Sequence, residues 1–315
     1  MLSRRLLRVK VIQCLYASLQ KGETSLTIAE QELLHSLSKS YELYYITLSI
    51  LVELRNFSVN RNEILKNKHL ATAEEKNPNT RFVENKALKD LEVAIGKVKL
   101  SYKFGDIFEN HPEVISNLYK LVVSSAVYNE YVALPVSDYD TDKKFLVKLI
   151  DKVIAQDLQI YSFFEDVSVY WNDESEFMFS MAMKTIKGFT EELGSRNVVI
   201  EEFKDLDDKE FVQKLFRKAF VSHSEYRKLI ASFAKNWEVE RVSILDIIIM
   251  QAAINEVVEI AQVPVNVTLN EYIEIAKFYS SEKSGVFING ILDKIFSHLE
   301  EEKKIVKQGR GLVSK

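Results

Sequence analysis

Only four prolines and nine glycines punctuate the 315 residues of this chain, and that scarcity constrains its fold more than any other feature. Proline and glycine are the residues that stop helices and shape tight turns. Between them, apolar residues recur at i, i+3, i+4 spacing. Leu7, Val11, Leu15 and Leu19 form one such series, and Leu43, Ile46, Ile50 and Leu54 another. Phe287, Ile291, Ile295 and Leu299 form a third, with Ile288, Leu292 and Phe296 beside them. A period near 3.6 places each series on one stripe of a helix. The segment RNVVIEEF (196–203) has strand-like composition, but nothing nearby offers a partner with hairpin turn chemistry. The spacing predicts an all-α protein.

A hydrophobic content of 47% is enough to fill one large core or two ordinary ones. The longest apolar block, residues 244–254, is interrupted by Asp246 and Gln251 and is too short to cross a bilayer, so it reads as a buried helix. Polar segments divide the helical pattern at 66–81, 135–144, 171–176 and 193–197. The second, with Pro135 and a Ser/Asp cluster, is the strongest boundary signal. It predicts an N-terminal helical subdomain over 1–135, a C-terminal one over 136–300, and a basic tail over 301–315. Residues 145–171 also lie without gaps over 211–237, an offset of 66, with identities at Phe145/Phe211, Lys148/Lys214, Leu149/Leu215, Lys152/Lys218 and Trp171/Trp237. A solenoid needs at least three units. This is either a chance likeness of two amphipathic helix pairs or at most one diverged doubling inside a bundle.

With a net charge of −4, any nucleic-acid surface must be a local patch. Two exist. Residues 1–22 contain no acid, and beyond Glu302 the tail carries Lys303, Lys304, Lys307, Arg310 and Lys315. Catalytic patterns are missing. Cys14 is the single cysteine, which rules out an intramolecular disulfide and a multi-cysteine zinc site; it reads as a small core residue in a reducing compartment. The five histidines (His35, His69, His111, His223, His298) never form an i, i+4 pair around a Glu, and the glycines never assemble a phosphate-cradling loop. In SHSEY (222–226) Ser, His and Glu are close in sequence, but near neighbours on a helix do not face each other. The expectation is a protein with no metal, no cofactor and no enzymatic activity.

The most informative stretch is 237–299. A buried helix over about 242–261 ends before Pro264. Thr268 and Glu271 have the spacing of a capping box that opens the next helix. SSEKS (280–284) then caps a last helix, in which Gly290, costing roughly 1 kcal/mol relative to Ala, implies close helix contact. Asp246, the Asn255–Glu256 pair, Pro264, VTLNEYIEIAK (267–277) and FINGILDK (287–294) stand in the order and spacing of the NusB family of transcription antitermination factors. RRLLRVKVIQCLYA (4–17) resembles that family's first helix, with Gln13, Leu15 and Tyr16 at its Gln-x-Leu-Tyr positions. The resemblance covers about 3–20 and 205–300. It implies a NusB-like helical bundle whose N-terminal and middle region, 21–204, is an enlargement matching no family segment.

By that resemblance the chain is a cytoplasmic factor that binds single-stranded boxA-type RNA together with NusE, a small-subunit ribosomal protein. It works within the RNA polymerase antitermination complex, promoting transcription of ribosomal RNA operons. Arg4, Arg5 and Arg8 lie within one turn, so their guanidinium groups are expected to grip successive phosphates, with Lys10 beside them. Phe287 is expected to stack on a base or to head the apolar stripe. Tyr16 and Asp246 are carried over as partner-surface residues. Asn270, Glu271 and Asn289 are expected to hold the fold as caps and helix-helix hydrogen bonds.

The chain departs from the family in two places. Cationic positions following the leading acid read Ile247 and Gln251, and the Gly-x-Glu-Asp-Ser turn reads Ser280, Ser281, Glu282, Lys283, Ser284. Lys283 in place of an acid removes repulsion and adds a phosphate contact. An Arg-rich transit peptide is the competing reading of residues 1–20, but a removable presequence has no reason to carry the family's first core helix. Other readings are a protein-interaction scaffold built on 21–204, a module related to the N-terminal domains of ribosomal RNA methyltransferases, and a homodimer formed through the RNA face. No membrane partner is expected.

Overall fold

The structure is a computed structural model that describes residues 3–98, 105–203, 206–234 and 242–309. Its helices are α1 (Arg4–Lys21), α2 (Leu26–Lys66), α3 (Ala73–Lys76), α4 (Lys86–Gly96), α5 (Gly105–Asn110), α6 (Pro112–Ser124), α7 (Ala126–Val132) and α8 (Tyr139–Lys152). They continue as α9 (Leu158–Val167), α10 (Ser175–Gly188), α11 (Leu206–Val221), α12 (His223–Phe233), α13 (Ile244–Glu259), α14 (Val265–Tyr279) and α15 (Glu282–Glu301). No strand occurs among the described residues, so the all-α expectation holds. The strand-like segment is irregular chain pinned by two tyrosines. Tyr41 donates its hydroxyl to the Ile200 carbonyl at 2.9 Å, and the Ile200 N–H donates to the Tyr44 hydroxyl at 3.0 Å. The backbone groups of Ile200 are thus satisfied without a sheet.

The chain forms two compact units, residues 1–38 with 201–315, and residues 39–200. This division differs from a split at 135. Pro135 lies in the connection from α7 to α8 inside the second unit, where Asp138 caps α8 by accepting from the Thr141 N–H at 2.7 Å. Turn residues mark where a helix stops. They do not mark which helices then pack, and α4 and α7 both pack on α8 across this turn.

In the second unit α8 also packs on α10, and Tyr131 stacks on Phe145 with ring centroids 3.9 Å apart. The buried Asp142 carboxylate accepts the Lys86 N–H at the start of α4 and the Tyr131 hydroxyl, both at 2.7 Å. A carboxylate at a helix N-terminus meets both the orphan N–H groups and the positive end of the dipole. Helices α8, α9 and α10 start 67, 65 and 69 residues before α11, α12 and α13, close to the sequence offset of 66. Trp237, the last identity of that alignment, lies outside the described residues.

In the first unit α13 is the central element and packs on α1, α11, α12, α14 and α15. It is buried continuously from Asp246 to Val257, as a helix that is apolar on all sides requires. Helix α1 packs on α11 and α13. Ser3 caps it by accepting from the Leu6 N–H at 3.2 Å, and Gly22 ends it at φ 66°, a conformation that favours glycine. Cys14 is buried, and that burial pushes its thiol to about 11, which suits a packed core residue better than a reactive one.

Three local expectations need correction or refinement. Helix α14 begins at Val265, directly after Pro264, so Thr268 is inside the helix and caps nothing. Its hydroxyl instead donates to Glu256 Oε1 at 2.9 Å. The cap of α15 is as expected, with Ser281 accepting from the Ser284 N–H at 3.1 Å. Gly290, however, makes no close helix contact, because a Cβ there would meet nothing within 4 Å. The close approach of α15 to α14 is at Gly285, where a Cβ would lie 3.0 Å from Lys277 Cγ. Gly290→Ala is therefore expected to raise stability by roughly 0.5–1 kcal/mol in urea unfolding, through helix propensity alone.

The tail does not behave as one basic patch. Lys307 donates its ammonium to the Ile260 carbonyl at 3.0 Å, and the Gln308 N–H donates to the Ala261 carbonyl at 3.1 Å, just beyond the end of α13. Burial pushes the Lys307 ammonium down to about 8. This cation serves the carbonyl end of a helix. Arg310 and Lys315 lie outside the described residues.

Candidate functional site

Both candidate surfaces lie in the first unit, and the arginine-rich start of α1 supplies the first. Arg8 is only 3% exposed. It donates Nε to Glu256 Oε2 and Nη2 to Glu256 Oε1, both at 2.7 Å, in a two-pronged pair with a carboxylate that is fully buried on α13. Thr268 and Tyr272, from α14, complete the acceptor capacity of Glu256 at 2.9 and 3.1 Å. Three helices thus meet on one satisfied buried charge pair. Its hydrogen bonds and Coulomb attraction outlast the cost of desolvating the guanidinium, and Arg8 is held above its ordinary range despite its burial.

The neighbouring arginines are also engaged. Arg5 pairs with Glu271 on α14 through Nε at 2.9 Å and Nη2 at 2.8 Å, and the hydrogen bond from Arg5 holds the Glu271 carboxyl below its usual range. Arg4 donates Nε to Asp208 on α11 at 2.8 Å, and its guanidinium lies 5.2 Å from the centroid of the Phe211 ring. The Arg8 guanidinium lies 5.3 Å from that same ring. Yet Arg4 and Arg5 keep 43% and 53% of their side-chain surface exposed.

The expectation that Arg4, Arg5, Arg8 and Lys10 form a common phosphate grip is corrected accordingly. Arg8 and Lys10 are buried, and a side chain closed off from water cannot meet a phosphate. Arg4 and Arg5 retain an outer face. Sequence spacing places residues on a helix; it does not say that this helix is sunk in the bundle. One available signal was Glu256 itself, because a Glu near the end of a helix read as buried demands a cationic partner.

The second feature is a groove of about 760 Å³ between the start of α13 and α15. Asp246, Lys283 and Phe287 line it together with Val286, Gly290 and Lys294. Phe287 is half-buried, and Lys283 is exposed. Asp246 is 5% exposed, and its Oδ1 accepts no hydrogen bond from the described residues. A buried carboxylate oxygen in that state costs free energy in the free protein and is ready to accept a donor from outside. Tyr16 stands on α1, partly exposed, and is not among the residues lining the groove. The sequence assigned Asp246 to one partner and Lys283 and Phe287 to another; all three share this wall. Val286, Gly290 and Lys294 were missed, because only the crossing of α13 and α15 turns them toward a common space.

Polar residues on α13 that looked functional hold the bundle together. Gln251 donates to the His223 carbonyl and its Oε1 lies 2.9 Å from His223 Nδ1. Asn255 accepts from Ser222 at 3.0 Å. The Ser and His of SHSEY thereby anchor α12 to α13. Among the described residues no group of His, Cys, Asp and Glu is placed to hold a metal ion, and no helix is long and apolar enough to cross a membrane.

Comparison with known proteins bears on the same region. The NusB family model matches residues 176–297. The transcription antitermination protein NusB of Salinibacter ruber is 36% identical over 109 residues, 35% of this chain and 68% of that protein. That of Chloroherpeton thalassium is 39% identical over 109 residues, 35% of this chain and 52% of that protein. That of Acetivibrio thermocellus is 36% identical over 121 residues, 36% of this chain and 83% of that protein. No solved structure matches the chain. This chain is longer than those relatives, and the matched segment carries α13, α14, most of α15 and Glu256, the residue with which Arg8 of α1 pairs. The chain belongs to the NusB family.

Proposed function

We propose that this protein is a non-enzymatic, cytoplasmic transcription antitermination factor that binds single-stranded boxA-type RNA together with NusE and promotes transcription of ribosomal RNA operons. The observation that carries the reading is the α13/α15 groove, where a buried carboxylate with one oxygen unpartnered among the described residues, a half-buried aromatic ring and two lysines line one space. Each element suits a different part of such a complex. The Asp246 carboxylate accepts a cationic or N–H donor from the protein partner. Lys283 and Lys294 neutralise phosphates, and Phe287 offers a stacking face for a base. Arg4 and Arg5 extend the cationic surface with the outer faces that their ion pairs leave exposed.

The test is titration of a boxA-type RNA and a scrambled RNA of equal length, with and without NusE, at several salt concentrations. Binding is expected to favour boxA, tighten with NusE and weaken with salt. Removing one cation that neutralises a phosphate of a single strand lowers the slope of log affinity against log salt by about 0.7. Arg4→Ala, Arg5→Ala and Lys283→Ala should each show that drop. Equal binding of both RNAs, indifferent to NusE, would sink this function and leave the fold intact.

A further inference from the structure

The second unit has its own groove, outside the family match. Helix α9 and the N-terminal end of α6 enclose about 590 Å³. Leu158, Phe163, Val167 and Val114 line it, with Glu113 and Asp166 among the same residues. Leu158 is 78% exposed, a large apolar surface on an ordered helix. The Phe163 ring is fixed by Phe108 and His111, with centroids 6.0 and 5.4 Å away.

The two chain segments that line the groove carry acids and neither Lys nor Arg, with His111 beside Glu113 at 3.4 Å. Residues 153–183 contain six acids and no Lys or Arg, and residues 104–119 contain three acids and no Lys or Arg. Among the described residues no Lys or Arg forms an ion pair with Glu113, Glu165 or Asp166. A field of this sign repels phosphate, so the groove is unsuited to nucleic acid. Its complement is a segment with apolar anchors and flanking cations.

The shape of that segment follows from the other unit. At the 66-residue offset α9 corresponds to α12, and Val167 to Phe233. In the first unit α15 packs on α12, and Phe233 meets the His298 ring at 5.4 Å. Among the described residues the second unit has no α-helix after α10 to take that place, and Val167 opens on the groove. We propose that this groove docks a cationic amphipathic helix from a protein partner, which lies across α9 and inserts apolar side chains between Leu158 and Phe163.

The experiment uses the full chain and a labelled synthetic amphipathic peptide of Leu and Lys in helical register, with a Leu/Glu peptide of the same pattern as control. The Leu/Lys peptide is expected to bind with salt-sensitive affinity. Leu158→Asp and the pair Glu113→Lys with Asp166→Lys should each weaken it at least about tenfold. Glu63→Lys, exposed on α2 and outside the groove, should change it less than about twofold. Circular dichroism of each variant checks that the helices persist. Equal weakening by Glu63→Lys would mean diffuse charge attraction and overturn the site. So would unchanged binding in the groove variants, absence of binding, or equal binding of both peptides.

Discussion

Arg8→Ala is expected to destabilise the protein by about 3–5 kcal/mol, because it strands the fully buried Glu256 carboxylate without its cation. Urea unfolding followed by circular dichroism measures this directly. The double variant Arg8→Met with Glu256→Gln should recover most of the loss. It removes both charges, and the Gln amide keeps a bond to each hydroxyl, its oxygen accepting from one of Thr268 and Tyr272 and its NH2 donating to the other. The same double variant should retain the RNA salt slope of the unmodified chain, since a side chain 3% exposed releases no counterion. A variant lacking Arg8 that unfolds at the original urea concentration yet loses RNA binding would show that Arg8 faces phosphate after all. Arg4→Ala supplies the contrast. Its pair reaches the buried Asp208 carboxylate but leaves Arg4 half-exposed, so the stability loss should be smaller, about 1–3 kcal/mol, with a further effect on RNA affinity.

Asp246→Ala is expected to separate stability from partner binding in the opposite way. The residue stands in the first turn of α13, where an acid gains from the helix dipole, but one of its oxygens is buried without a donor among the described residues. These effects oppose each other, so free-protein stability should change by no more than about 1 kcal/mol. Affinity for NusE should fall by about 2–5 kcal/mol, the cost of removing one side of a buried charged contact. Calorimetric titration beside an unfolding curve reads both quantities on one sample. A large loss of stability with unchanged affinity would assign the carboxylate to the fold alone. Gly290→Ala, on the same wall, shows whether the groove is occupied. Its gain in helix stability should coexist with weaker partner docking if the added methyl meets a ligand.

The helical nature of this chain, the buried character of α13, the cap at Ser281 and the family motifs over 246–294 were all determined by the sequence. These features depend on local periodicity and on side chains acting within a few residues of each other. The sequence also singled out Arg4, Arg5, Arg8, Asp246, Lys283 and Phe287 as residues of consequence. Their division of labour was decided by the tertiary structure. Arg8 meets Glu256 across 248 positions and Arg5 meets Glu271 across 266. Pairing at such separations depends on which helix faces which, and helix spacing carries no record of it. The same limit explains the boundary at 135. Pro135 stops a helix locally, whereas the two units are defined by packing that brings residues 1–38 together with 201–315. It explains Thr268 and Gly290 as well, since the tertiary neighbours of each residue, Glu256 for one and open space for the other, set its role.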